Sequence, residues 1–301
     1  MAHCKDLEAD YQQYYALLFK IAYCMLGSAS DAENVIQECY LRYNQASTEE
    51  IHSIKSYLSM IVIHVCLEYL KLARKKREQY TGVWLPEPFL TIREKHPAWQ
   101  TIAQQEDFST AFLILLEQTT PYERAVYLLR EMFAFRYEEI ARIIGKSTTC
   151  CRQLFHQAKT HIGSNQTHSS IFTQETQLYL VERFLVASQQ KNMQLFIDIL
   201  DQNVTWWADD GTKSTTHRPI HGREAVLQLL NNLLHQTSLW YPNIQFELAT
   251  INGTPGILLW DHSTLIAAIT CMTNTHSITE LYEVTNPQKL GYIQHQMSTT
   301  S

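Results

Sequence analysis

Apolar residues along the first part of the chain recur at the spacing of helix faces. Leu7, Tyr11, Tyr14, Leu17, Leu18, Ile21 and Met25 lie three and four residues apart and predict a helix over 6–26, with Gly27 as its C-terminal cap. Ser30, with Glu33 three residues on, is expected to open a second helix whose inner stripe is Ala32, Val35, Ile36, Cys39, Tyr40 and Tyr43. After a polar stretch at 44–53, a third helix runs from about Ile54 to Glu78. It is apolar through Leu70, then basic at Lys71, Arg74, Lys75, Lys76 and Arg77. Gly82, Pro86, Pro88 and Pro97 break the helical pattern, so residues 81–107 read as a linker. It carries Trp84, Phe89 and Trp99, which predicts a segment docked on something. Helical spacing returns over 108–163, with Pro121 at a first-turn position. Residues 164–171 form a second polar linker.

After residue 172 the texture changes. Two helices (about 174–189 and 192–201) precede a strand-like Val204–Trp207, a loop to Arg218 and a helix over about 222–236. Four strand-like stretches follow at 243–251, 256–261, 264–272 and 276–284. Helices followed by a run of strands predict an α+β domain with antiparallel strands.

Charge sharpens this picture. The 301 residues carry a formal net charge of −6, which argues against a general nucleic-acid binder. Two basic islands nevertheless stand out, residues 55–80 and 121–163, both on helical segments. No apolar run reaches the length of a membrane span, and the acidic N-terminus lacks the pattern of a signal peptide. The expectation is a cytoplasmic protein. Seven scattered cysteines without a CxxC pair predict reduced, mostly buried thiols and no zinc site. No cofactor or metal is implied.

Tyr137–Ile162 has helix-turn-helix logic. Ile140 and Ile144 give the first helix its apolar face, Gly145 supplies the turn, and Ser147 caps the second helix. Cys151, Leu154, Phe155 and Ala158 form that helix's inner stripe. Thr148, Thr149, Arg152, Gln153, His156 and Lys159 face outward. Arginine and glutamine suit base edges; lysine and threonine suit phosphates. An ordinary αα-hairpin shares the pattern.

The motifs taken together resemble one family. Asp31-Ala32-Glu33-Asn34-Val35-Ile36-Gln37-Glu38 resembles the core-polymerase-binding segment of bacterial sigma factors. The helix carrying Tyr57-Leu58, Leu67-Glu68-Tyr69-Leu70 and Arg74–Arg77 resembles their −10 region, and Thr120–Ile162 their −35-reading region 4. This two-domain order over residues 6–163 is similar to the extracytoplasmic-function (ECF) sigma factors. Trp84-Leu85-Pro86-Glu87-Pro88 resembles the linker signature of their SigJ-like group, which carries a SnoaL-like C-terminal extension. Asp209-Asp210-Gly211-Thr212-Lys213 and Asn286-Pro287-Gln288-Lys289-Leu290 resemble that group's DGGGK loop and NPDKL tail.

The resemblance implies a multidomain chain, with two all-α sigma domains and an α+β SnoaL-like cone. The domains would be region 2 at 1–80, the linker at 81–107, region 4 at 108–163 and the cone at 172–301. It implies core RNA polymerase contacts at Asp31, Glu33, Asn34, Gln37, Glu38 and Arg42. It implies promoter DNA contacts, −10 and −35, at Lys71, Arg74, Lys75, Arg77, Ser147, Thr148, Thr149, Arg152, Gln153, His156 and Lys159. Loop 44–53, with Asn44, Gln45, Ser47 and Thr48, would capture an unstacked base. Trp84, Pro86, Glu87, Asp209, Asp210, Lys213, Asn286 and Lys289 would form a regulatory contact within the chain. The cone leaves room for a small-molecule ligand, and Trp206, Trp207, Trp240 and Trp260 are candidates to wall its pocket. Asp209, Asp210, His217, His221 and Asp261 are the groups a SnoaL-like enzyme would draw on, but no arrangement of them in the sequence fixes a general base.

Overall fold

The structure, a computed structural model, describes residues 7–46, 51, 53–77, 82–91, 109–163, 174–211 and 218–298. The chain divides into two compact units. One gathers residues 1–79, 92–108 and 112–167; the other gathers 80–91, 109–111 and 168–301.

The first unit is helical. α1 (Leu7–Leu26), α2 (Ala29–Gln45) and α3 (Ile54–Arg77) pack pairwise on one another. The inner face of α2 is Ala29, Ala32, Val35, Ile36, Cys39 and Tyr43, and Phe19 and Ile21 of α1 and Leu58, Val62 and Ile63 of α3 are buried too. The start of α2 differs from expectation. Its cap is Ser28, whose Oγ accepts from the Asp31 amide at 3.1 Å. Ser30 lies within the first turn, so the serine that precedes the helix outcompetes the one inside it.

α4 (Thr110–Glu117), α5 (Pro121–Tyr127), α6 (Tyr137–Ile144) and α7 (Thr148–Gly163) follow. A capping box between Thr120 and Glu123 starts α5. Its end widens into a π-helical turn, Leu128–Met132. Arg124, 3% exposed, donates through Nη1 to the Met25 carbonyl at 2.6 Å and to Glu117 at 2.7 Å. That arginine ties the end of α1 to α5. Lys55 of α3 lies 4.6 Å from the centre of the Phe135 ring.

The second unit is built on a six-stranded sheet in the order β2-β1-β6-β5-β4-β3. α8 (Gln174–Gln190) and α9 (Met193–Ile199) lead into β1 (Leu200–Asp209); β2 (Ile220–His221) and α10 (Arg223–Trp240) follow. Then come β3 (Ile244–Ile251), β4 (Thr254–Asp261), β5 (Thr264–Thr273), β6 (Ile278–Val284) and α11 (Pro287–Ser298). The sheet is mixed, not purely antiparallel: β1 runs parallel to β6, with Trp206 opposite Leu281 and Asp209 opposite Val284. β1 also takes residues expected as helix end and loop. α11 has no counterpart in the expected elements, because Gly291 interrupts a short stretch with few apolar residues. α8, α9 and α10 close over one face of the sheet around Phe184, Phe196, Trp206, Val226, Leu230 and Leu281.

Candidate functional site

Three surfaces carry the chemistry singled out in the sequence. On α2, burying the 29-32-35-36-39-43 stripe turns Asn34, Gln37, Leu41 and Arg42 outward, with Asp31, Glu33 and Glu38 half-buried at its margins. Leu41 is 56% exposed in this polar face. Arg42 pairs with Glu38 at 2.8 Å and reaches Glu68 of α3 at 3.4 Å, which links Glu38 to the neighbouring helix. Lys71 is exposed on α3. α3 continues to Arg77, so the backbone of Arg74, Lys75 and Arg77 is helical.

The second surface is the helix pair α6–α7. Gly145 ends α6 at φ 66°, a left-handed conformation that glycine adopts without a Cβ penalty. Ser147 Oγ accepts from the Cys150 amide at 3.2 Å and so caps α7. Cys151, Ala158 and Ile162 are buried. Thr149, Arg152, Gln153, His156 and Lys159 are exposed, and Thr148 is half-exposed. The guanidinium of Arg152 sits 5.2 Å from the centre of the Tyr137 ring, and that of Arg130 sits 4.9 Å from the same ring. Arg130 also donates to the Phe135 carbonyl at 2.9 Å. Two cations on one aromatic ring concentrate positive charge beside α7. Lys159 lies over Phe155 and pairs with Glu131 at 3.2 Å.

The third surface lies in the second unit, where residues 82–91 run extended along the cone. Asp209, fully buried at the end of β1, holds the segment's near end. Its Oδ2 accepts from the Leu85 amide at 2.8 Å and pairs with Lys289 Nζ at 2.7 Å. Lys289 also donates to the Leu85 carbonyl and stands 4.4 Å from the centre of the Trp84 ring. The turn that positions Asp209 needs Gly211 at φ 81°, where a Cβ would press on Asn286 at 3.2 Å. The Asp209 carbonyl in turn accepts from the amides of Thr285 and Asn286, leading into α11.

The far end of the segment is held by hydrogen bonds from its backbone to backbone and side chains of the cone. Phe89 N–H donates to Asn252 Oδ1 at 3.0 Å, and Asn252 N–H donates back to the Phe89 carbonyl at 3.0 Å. The Gln296 carboxamide accepts from the Leu90 amide and donates to its carbonyl. Thr91 N–H reaches the Thr250 carbonyl on β3. Leu85 and Phe89 are fully buried. Each contributes about 2–3 kcal/mol of apolar transfer.

The sequence of the first unit matches two family models: Sigma-70 region 2 over residues 10–76 and Sigma-70 region 4 over residues 111–162. The ECF RNA polymerase sigma factor SigJ of Mycobacterium tuberculosis is 27% identical over 90% of this chain and 89% of its own length. The chain belongs to the ECF sigma factors. A probable ECF sigma factor SigI of the same organism is 24% identical over 99% of both chains. The crystal structure of SigJ matches with a TM-score of 0.74 over 95% of this chain and 98% of that one, at 24% identity. At that identity the likeness shows a shared fold, the sheet-based second unit included. The protein is thus a sigma factor by its two helical regions.

The space among Val181, Phe184, Ile257, Ile269, Cys271 and Leu281 is only about 10 Å³, at the lower limit for one water molecule. A cleft of about 680 Å³ lies elsewhere in the same unit, lined by Ser188, Lys191, Leu234, Thr237, Tyr241 and Phe246. The four tryptophans do not converge on a pocket. Trp206 is buried and donates to Glu283, Trp207 stacks on Tyr282, Trp260 donates to Glu247, and Trp240 is 69% exposed. Lys213, His217, Ser47 and Thr48 lie outside the described residues, as do the side chains of Arg74, Lys75 and Arg77. Trp84 and Lys289 meet at Asp209, and Asn286 joins them through the Asp209 carbonyl. Glu87 is buried in the same segment. Sequence reasoning missed Arg130, Asn252 and Gln296. Only Asn252-Gly253, a hairpin-turn dipeptide, carried a signal. No helix among the described residues is long and apolar enough to cross a membrane.

Proposed function

We propose that the chain acts in the cytoplasm by docking on core RNA polymerase through the exposed face of α2. It contacts promoter DNA at −10 through the basic end of α3 and at −35 through α7. The cone regulates these steps in cis by holding the segment that joins the two sigma regions.

One observation carries the regulatory part. The joining segment is gripped from Leu85 to Thr91 by Asp209, Lys289, Asn252 and Gln296, all contributed by the cone. What supports the DNA-reading part is the row of exposed polar groups on α7, with Arg152 and Arg130 seated on Tyr137. Asp31, Glu33 and Glu38, beside Asn34 and Gln37, give α2 the charge to steer a basic polymerase surface into register. Arg152 and Gln153 read bases, while Ser147, Thr148, Thr149, His156 and Lys159 contact the backbone.

The test is co-elution of the full-length chain with core polymerase, followed by transcription from a promoter selected with that holoenzyme. Complex formation, with promoter output changed by Lys289→Met, is the expected result. No complex, with or without Lys289→Met, would overturn the polymerase assignment. A complex whose output ignores the substitution would overturn regulation by the cone.

A further inference from the structure

Asn252 does more than grip the linker. It sits at the tip of the β3–β4 hairpin, 1% exposed, at φ 51°. Its Oδ1 accepts from Phe89 N–H at 3.0 Å, on the stretch that ends region 2's side of the connection. Its Nδ2 donates to Thr110 Oγ1 at 3.4 Å, at the first residue of α4. Thr110 Oγ1 also shares a hydrogen bond with Thr270 Oγ1 of β5 at 3.1 Å. On the other side of the same turn, Gly253 N–H donates to Thr91 Oγ1 at 2.8 Å. The chain therefore enters residues 92–108 and leaves them at one spot on the cone, under one carboxamide.

This arrangement changes the arithmetic of reach. Region 2 ends its last helix at Arg77 and region 4 begins at Thr110. Unclamped, residues 78–109 span up to about 100 Å when extended. With residues 84–91 laid on the cone and Thr91 and Thr110 both anchored at the Asn252–Gly253 turn, only residues 78–83 remain free, adding at most about 20 Å to the fixed length of the clamped segment. Both ends of the excess chain are stapled, so the slack is withdrawn from the connection.

We propose that Asn252 is a positioning residue that sets the distance over which the two DNA-reading regions act together, and hence the promoter spacer this sigma factor accepts. The inference rests on the proposed cis regulation by the cone. It adds a specific consequence: the cone measures promoter length.

The experiment uses full-length holoenzyme and a set of promoters identical except for the number of base pairs between −35 and −10. Asn252→Gly keeps a residue at ease with positive φ and removes the carboxamide. Thr110→Val keeps the side-chain shape and removes only the hydroxyl, so it decides the question even where Asn252→Gly misfolds. Wild type should show one sharp spacer optimum. Both variants should broaden it towards longer spacers, with output at the optimum falling up to about tenfold as the tether lengthens and dilutes the second contact. Spacer profiles of the folded variants that superpose on wild type would overturn the proposal. Lys289→Met, measured alongside, separates the two readings. If it alters output while the spacer profiles stay fixed, cis regulation stands and the measuring role falls; if it too changes nothing, the broader reading falls.

Discussion

Asp209 and Lys289 face each other at 2.7 Å from the first strand and the last helix of the cone, and the backbone of Leu85 is held between them. Asp209 is fully buried and Lys289 nearly so. The pair brings its charges out of water only because the linker completes the hydrogen bonds and Trp84 lies beside the ammonium. The linker is therefore part of the cone's stability.

Removing one partner should be costly. Asp209→Asn or Lys289→Met alone is expected to lower unfolding stability by about 3–5 kcal/mol, since each leaves a buried charge without its counter-charge. The double variant should cost much less than the two added. Urea titration of the four proteins in a double-mutant cycle reads this directly; strict additivity would show the pair is not coupled.

Glu283 predicts a pH dependence. Burial raises its carboxyl from 4.5 to about 7; the Trp206 indole N–H opposes the rise and Asp210 adds to it. The folded chain thus keeps a proton that the unfolded chain has released between those values. The stability is fully present below about pH 4.5 and is lost as pH rises through about 7, roughly 3 kcal/mol in all. Glu283→Gln should match wild type near pH 4 and exceed it by about that amount at pH 8. Equal urea midpoints at both pH values would refute the assignment.

The aromatic seat beneath Arg152 and Arg130 is testable on DNA. Arg152→Ala should cost about 1–3 kcal/mol on the selected promoter and little on scrambled DNA. Tyr137→Leu should weaken promoter binding by about 0.5–1 kcal/mol through the two displaced guanidinium groups. Tyr137→Phe should restore it. Equal losses for Phe and Leu would point to the hydroxyl instead.

Arg124 predicts how the helical unit comes apart. Arg124→Met leaves the Met25 carbonyl and Glu117 without their donor. It should lower the thermal midpoint, at a cost of about 2–4 kcal/mol. Circular dichroism melts of the full chain check this, and an unchanged midpoint would mean the buried arginine contributes nothing net.

Much of this was legible in the residues. The helix periods, Gly145 and Ser147 marked the helix-turn-helix, and the clustered aromatics of the linker marked a docked segment. The parts that were not legible depend on contacts distant in sequence. Ser28 and Ser30 offer similar caps, and packing chose between them. Whether β1 runs parallel or antiparallel to β6 is decided by the helices that cover the sheet, not by either strand. Gln296 grips Leu90 from a helix whose sequence barely resembles one. Lys289 was named with Asp209, but that they meet on the backbone of Leu85 is a fact of geometry alone.

The grip on residues 85–91 carries a consequence of its own. Asp209, Lys289, Asn252 and Gln296 form a recognition surface apart from the core cluster of Trp206, Phe184 and Phe196. What it recognises is a strip of its own polypeptide, present at one copy per molecule and never free to diffuse away. Such a receptor cannot be titrated by supply. Its occupancy does not depend on concentration, and a force on either end of residues 84–91 would act on it directly.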